Sequence, residues 1–180
     1  MKGEDVLFLS GDRGRGKSTV LKELVSFARE RDTVIGGLLS LRVPDGINTV
    51  FLPDNAEFPL ARYRGGAPKG IVMGPYLFSP AVIDMANSHL RNILSRSTAV
   101  PAGVVIDEIG PLELKRNAGF LPGLTWLLQQ QIPLAIVIRP ELVDRLAGLV
   151  GSSGRKVGPI IDDPRPTGRV VLRLFEYITT

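Results

Sequence analysis

The chain has 180 residues, 44% of them hydrophobic, with a net charge of +4 and a pI near 9.7, a size that fits one globular domain over residues 1–180 folding without staples. It contains no cysteine, which excludes disulfide scaffolds, zinc ribbons and thiol catalysis and suits a reducing, cytoplasmic setting. Its apolar runs are too short to span a bilayer, Met1–Asp5 does not read as a signal peptide, and basic and acidic residues are interspersed, so neither membrane nor nucleic acid is an expected partner.

In chain order, Val6-Leu7-Phe8-Leu9 reads as a strand buried on both faces. It leads into Gly11-Asp12-Arg13-Gly14-Arg15-Gly16-Lys17-Ser18, which fits G-x-x-x-x-G-K-[ST], the phosphate-loop or Walker A pattern, without a mismatch. A helix then runs from Lys17 to about Glu30, with Val20, Leu21, Leu24, Val25, Phe27 and Ala28 at helical spacing. A glycine-rich turn opening a helix offers aligned backbone N–H groups and the positive end of a helix dipole, which is what a polyphosphate requires. Gly11 to Thr19 is therefore the candidate nucleotide-binding stretch. Lys17 is the mobile cation for the β- and γ-phosphates, and the Ser18 hydroxyl is placed to complete a Mg²⁺ shell. The expected ligand is a nucleoside triphosphate.

Val34–Leu41 reads as a second strand and Pro44-Asp45-Gly46 as a turn. Short strands at Asn48–Leu52 and Leu60–Arg64 suggest an antiparallel ribbon, closed by a mobile loop at Gly65–Gly70. Ser79-Pro80 has the form of an N-cap followed by proline at the first helical position. Gly103–Ile106 is a strand ending in Asp107-Glu108; a helix near Leu121–Gln130, a strand Leu134–Ile138 and a helix Glu141–Leu149 follow. After a loop at Gly151–Gly154, the alternation in Val170–Ile178 predicts a final edge strand. Strands separated by helices argue for one α/β layer sandwich with a mostly parallel sheet and an added antiparallel meander.

A carboxylate that ends a hydrophobic strand stands at the edge where open α/β sheets bind ligands. Asp107 thus suits the metal shell opposite Ser18, and Glu108, expected on the other side of the strand end, suits a base that holds water in line with the γ-phosphorus. Arg139, following Leu134–Ile138 at the same edge, is a candidate sensor of the γ-phosphate, with a helix-terminal surface role as its alternative. Arg13 and Arg15 lie in the loop itself, and Arg64 and Arg116 are lid candidates. Glu113 is expected to support the Asp107 loop. His89, alone in the chain, reads as a surface or boundary residue, and Trp126 as core.

Asp107-Glu108-Ile109-Gly110-Pro111-Leu112-Glu113-Leu114 resembles the D-E-I-G-x-[ML]-E-L Walker B signature of the THEP1-like nucleoside triphosphatases. The likeness extends to a Gly-Gly strand with a following hairpin and to Met73-Gly74-Pro75-Tyr76 before a helix, up to about Leu146. It implies a three-layer P-loop NTPase fold with a RecA-like core, and Mg²⁺-dependent hydrolysis of the β–γ bond of several nucleoside triphosphates with weak base preference. It carries over Gly11, Gly14, Gly16, Lys17 and Ser18 as the phosphate loop, Asp107 as the metal acid and Glu108 as the base. Arg13 and Arg15 stand where relatives carry proline and small or apolar residues, and Ser18 replaces the more usual threonine. A nucleotide or nucleoside kinase, and a switch-like binding module, share the loop. The absence of an [NT]-K-x-D motif tells against strict GTP selectivity. An activating protein partner or self-association is expected to complete the site, since no arginine finger is obvious.

Overall fold

The computed structural model describes residues 5–12, 14–65, 69–95, 99–162 and 164–179. The strands are β1 (Asp5–Ser10), β2 (Ile35–Val43), β3 (Gly46–Leu52), β4 (Ala56–Tyr63), β5 (Ile71–Met73), β6 (Tyr76–Phe78), β7 (Gly103–Ile109), β8 (Leu134–Ile138) and β9 (Lys156–Asp162). The helices are α1 (Lys17–Arg29), α2 (Pro80–Asn92), α3 (Pro111–Arg116), α4 (Leu121–Leu128), α5 (Val143–Ser152) and α6 (Gly168–Thr179), with a 3-10 turn at Pro140–Leu142 before α5.

One sheet runs in the order β5-β6-β4-β3-β2-β7-β8-β1-β9. Its core, β2-β7-β8-β1-β9, is parallel, and β3, β4, β6 and β5 extend it in antiparallel fashion. Successive strand residues face opposite ways. Val6 and Phe8 therefore pack with Ile83, Leu90, Leu124 and Leu146 of α2, α4 and α5. Leu7 and Leu9 pack with Leu21 and Leu24 of α1 and Leu174 and Ile178 of α6. The result is three layers, with β1 buried on both faces as its unbroken apolar run requires.

The Ser79 hydroxyl caps α2 by accepting from the Val82 N–H at 3.3 Å, with Pro80 in the first turn. Other segments depart from the sequence reading. Val170–Ile178, expected as an edge strand, lies within α6. Its polar residues Arg173 and Glu176, with Arg169 before them, recur at helical spacing and are exposed, whereas Val171, Leu174 and Ile178 are buried on the other side. The final edge strand is instead β9, whose Gly158 and Pro159 read as breakers. Both stand opposite Leu7 in a bulge between the Val6–Val157 and Phe8–Ile160 pairs. An edge strand tolerates proline there because one side of its backbone has no partner to bond. The β5–β6 hairpin and α3 add two short elements to the expected set. Residues 66–68 of the predicted Gly65–Gly70 loop lie outside the described residues.

Candidate functional site

Parallel pairing gathers the site at one sheet edge. Val6 and Val104 both stand opposite Leu134, so β1, β7 and β8 deliver Ser10, Asp107 and Arg139 to the same end. The loop from β1 enters α1 at Gly16, whose φ of 89° is left-handed. A side chain there is excluded twice, by that conformation and by Pro166, whose Cδ lies 3.0 Å from where a Cβ would sit. The segment after β9 thus packs on the phosphate loop. Lys17 is buried, and its Nζ donates to the carbonyls of Gly11 and, at 2.7 Å, of Asp12, spanning the loop from within.

Asp107 is 1% exposed. Its Oδ1 accepts from the Ser18 hydroxyl at 3.0 Å and its Oδ2 from the Ser40 N–H at 3.2 Å, while the Ser40 hydroxyl donates to the Asp107 carbonyl. Burial raises its carboxyl to about 6. The bonds from Ser18 and Ser40 oppose that rise, as does Lys22 from a distance, and Glu108 adds to it. A regular strand would send Glu108 to the opposite face. Here β7 carries an irregularity: Ile106 stands opposite Ile136 and Ile109 opposite Ile138, so Asp107 and Glu108 share the space facing Val137. Such a bulge re-aims side chains, and both carboxylates line one cavity. The Glu108 Oε1 accepts from the Arg139 Nε at 2.6 Å, each side chain being partly exposed.

The cavity has a volume of about 580 Å³ and is lined by Gly14, Arg15, Gly16, Lys17, Ser18, Thr19, Asp107, Glu108 and Arg139, among others. Gly11 and Asp12 do not line it, and their carbonyls instead hold Lys17. Arg13 lies outside the described residues. Ser18 and Asp107 offer two hard oxygens, and no cluster of three or more His, Asp or Glu occurs among the described residues. That sparse set fits Mg²⁺, which keeps several waters and takes substrate phosphate oxygens, better than an all-protein cage.

Of the other expected residues, Glu113 is buried and clamps the strand's exit. Its Oε2 accepts from the Gly110 N–H at 2.9 Å and its Oε1 from the Phe120 N–H at 3.0 Å, and burial pushes its carboxyl upward. Neither lid candidate lines the cavity. The Arg64 N–H donates to the Pro75 carbonyl at 3.0 Å, and the Arg116 guanidinium donates to the Val72 carbonyl at 2.7 Å. His89, expected near the surface, is buried, stacks on Phe51 and lies 2.9 Å from the Leu52 carbonyl through Nε2. Trp126 is partly buried against the core. Sequence reasoning passed over Ser40, Arg42 and Lys22, all of which line the cavity. Ser40 and Arg42 stand two apart on β2, a period-2 polar pair in an otherwise apolar strand, and that was the available signal.

The family model described as NTPase matches residues 6–157. Nucleoside-triphosphatase THEP1 of Pyrococcus abyssi is 31% identical over 145 residues, covering 77% of this chain and 76% of that protein. The protein of the same name from Thermococcus kodakarensis is 28% identical over 152 residues, covering 79% and 81%. The crystal structure of THEP1 from the hyperthermophile Aquifex aeolicus shares the fold, with a TM-score of 0.69 at 16% identity over 97% of this chain and 99% of that one. A solution structure of a human cancer-related nucleoside triphosphatase gives 0.63 at 20% identity over 96% and 94%. With the matched family spanning both the phosphate loop and the Asp107-Glu108 strand end, the chain belongs to the THEP1-type nucleoside triphosphatases.

Proposed function

We propose that the chain hydrolyses the β–γ bond of nucleoside triphosphates with weak base selectivity, using Mg²⁺, in the cytoplasm. The observation that carries this is the 3.0 Å bond from the Ser18 hydroxyl to Asp107, which joins the phosphate loop to the acidic strand end beside Glu108. Loop amides and Lys17 hold the β- and γ-phosphates and stabilise the charge that shifts onto the leaving diphosphate. Ser18 and Asp107 hold Mg²⁺, which supplies neutralisation of phosphate charge and geometric order when bound. Glu108 accepts a proton from the water whose oxygen attacks the γ-phosphorus, giving nucleoside diphosphate and inorganic phosphate. Arg139 orients that carboxylate through Nε, and its terminal nitrogens are the donors offered to the transferred group. A protein partner or a second copy that stabilises this arrangement raises turnover.

Phosphate release from ATP, GTP, CTP and UTP, with and without Mg²⁺, tests the reading. Turnover of all four that depends on the metal, and a loss of at least about 100-fold in Glu108→Gln, is the expected result. Equal rates for wild type and Glu108→Gln reject the base assignment.

A further inference from the structure

The phosphate loop, Asp107, Glu108 and Arg139 stand at the sheet-edge end of the cavity. The far end has other walls: Ile47 and Leu60 from β3 and β4, Tyr76 and Phe78 from the β5–β6 hairpin, Ile83 from α2, and Phe120 just ahead of α4. Leu60, Ile83 and Phe120 are buried and Ile47, Tyr76 and Phe78 are partly exposed, so this is a partly open chamber drawn from several elements. Water needs two to four polar partners to be held in place, and these side chains offer it only the Tyr76 hydroxyl. Of the ionic side chains that line the same space, Glu108, Arg139 and Arg42 are joined by Lys22 and by the buried Glu113, whose carboxylate already accepts from the Gly110 and Phe120 N–H groups. At about 580 Å³ the whole cavity falls in the range of small-molecule sites, which pair apolar walls with a few convergent polar groups.

We propose that this chamber seats the apolar body of a second substrate, an alcohol bearing a flat or compact hydrophobic group, and that the enzyme transfers the γ-phosphoryl group to its hydroxyl. The inference rests on the hydrolytic reading, because the phosphate loop and Glu108 serve both reactions. The acceptor oxygen bonds to the γ-phosphorus as the bond from that phosphorus to the β–γ bridging oxygen breaks. The electron pair of the broken bond leaves on the nucleoside diphosphate. The hydroxyl proton passes to the Glu108 carboxylate and then to solvent, and the products are a phosphate monoester and the diphosphate. Water competes for the same phosphorus, so hydrolysis is what the enzyme does when the chamber lacks an acceptor.

The test uses the full chain with Mg²⁺ and γ-labelled ATP, adding benzyl alcohol or glycerol at matched hydroxyl concentration and separating labelled ester from inorganic phosphate. Benzyl alcohol, which the chamber holds, is expected to give at least about tenfold more ester per phosphate released than glycerol, the scale on which apolar pockets discriminate. Ile47→Trp, which fills the chamber, is expected to lower the benzyl ester-to-phosphate ratio about tenfold. Should that variant fail to fold, Tyr76→Ala in the hairpin is expected to narrow the preference for benzyl alcohol over glycerol. Phosphate released by wild type with no ester, or equal ester from both alcohols, overturns the acceptor chamber while leaving hydrolysis standing. Release of neither product overturns the hydrolytic reading and this one with it.

Discussion

Replacing Asp107 by asparagine sets folding against function at one position. The carboxyl is buried and raised from 3.8 to about 6. A folded-state value above the unfolded one means that folding takes up a proton, so this contribution to stability is full below about pH 3.8 and is lost as pH rises to about 6. A gap of about two pH units corresponds to about 3 kcal/mol. Asparagine keeps the shape without the titration, and both bonds survive. Its oxygen accepts from the Ser40 N–H, and its amide donates to the Ser18 hydroxyl, which can accept as readily as it donates. In urea melts with a chelator, Asp107→Asn should therefore be more stable than wild type by up to about 3 kcal/mol near pH 8, and the difference should close toward pH 4. Mg²⁺ with a nonhydrolysable ATP analogue should raise the midpoint of wild type far more than that of the variant, and phosphate release by the variant should fall at least about 100-fold. A variant less stable than wild type near pH 8, or a difference that does not shrink with acid, refutes the reasoning.

Gly37→Ala should cost at least about 3 kcal/mol in the same melts, because φ is 120° and a Cβ would stand 1.9 Å from the Val105 carbonyl oxygen; a normal midpoint would show that β2 and β7 do not approach so closely. Leu174→Ala, in the core, should destabilise by about 2–5 kcal/mol, whereas Leu172→Ala, 44% exposed, should change stability by less than about 0.5 kcal/mol. In a strand the two would share a face, so equal effects would contradict α6. Tyr177 has a buried hydroxyl without a bonding partner among the described residues, and burial raises it to about 12. Its contribution is present below pH 10 and lost between there and about 12, so Tyr177→Phe should match or exceed wild type at neutral pH and flatten the alkaline limb of its stability profile. A less stable phenylalanine variant would reveal a bond to that hydroxyl.

How much of this was legible depended on whether the physics was local. The phosphate loop, β1 and α1 could be read because glycine placement, an unbroken apolar run and helical periodicity are contiguous signals. Asp107 and Glu108 were legible as a strand end, but not their shared side of the strand, since the irregularity facing Val137 exists only once β7 and β8 pair. Ser40 showed only as a polar residue in an apolar strand, because its importance is a bond to a residue 67 positions away. β9 was hidden by glycine and proline, which break an interior strand and are tolerated at an edge. In Val170–Ile178 apolar residues are dense enough to mimic alternation, and only the exposed spacing of Arg169, Arg173 and Glu176 betrays a helix.

The strand order has a consequence for synthesis. β1 precedes every other strand of the sheet, yet its neighbours are β8 and β9, and the helix that follows it packs against α6. Contacts this distant in sequence slow folding and leave early segments unpaired on a growing chain. Nucleotide-binding competence should therefore arrive late on a growing chain, once β8, β9 and α6 have emerged to pack on β1 and α1.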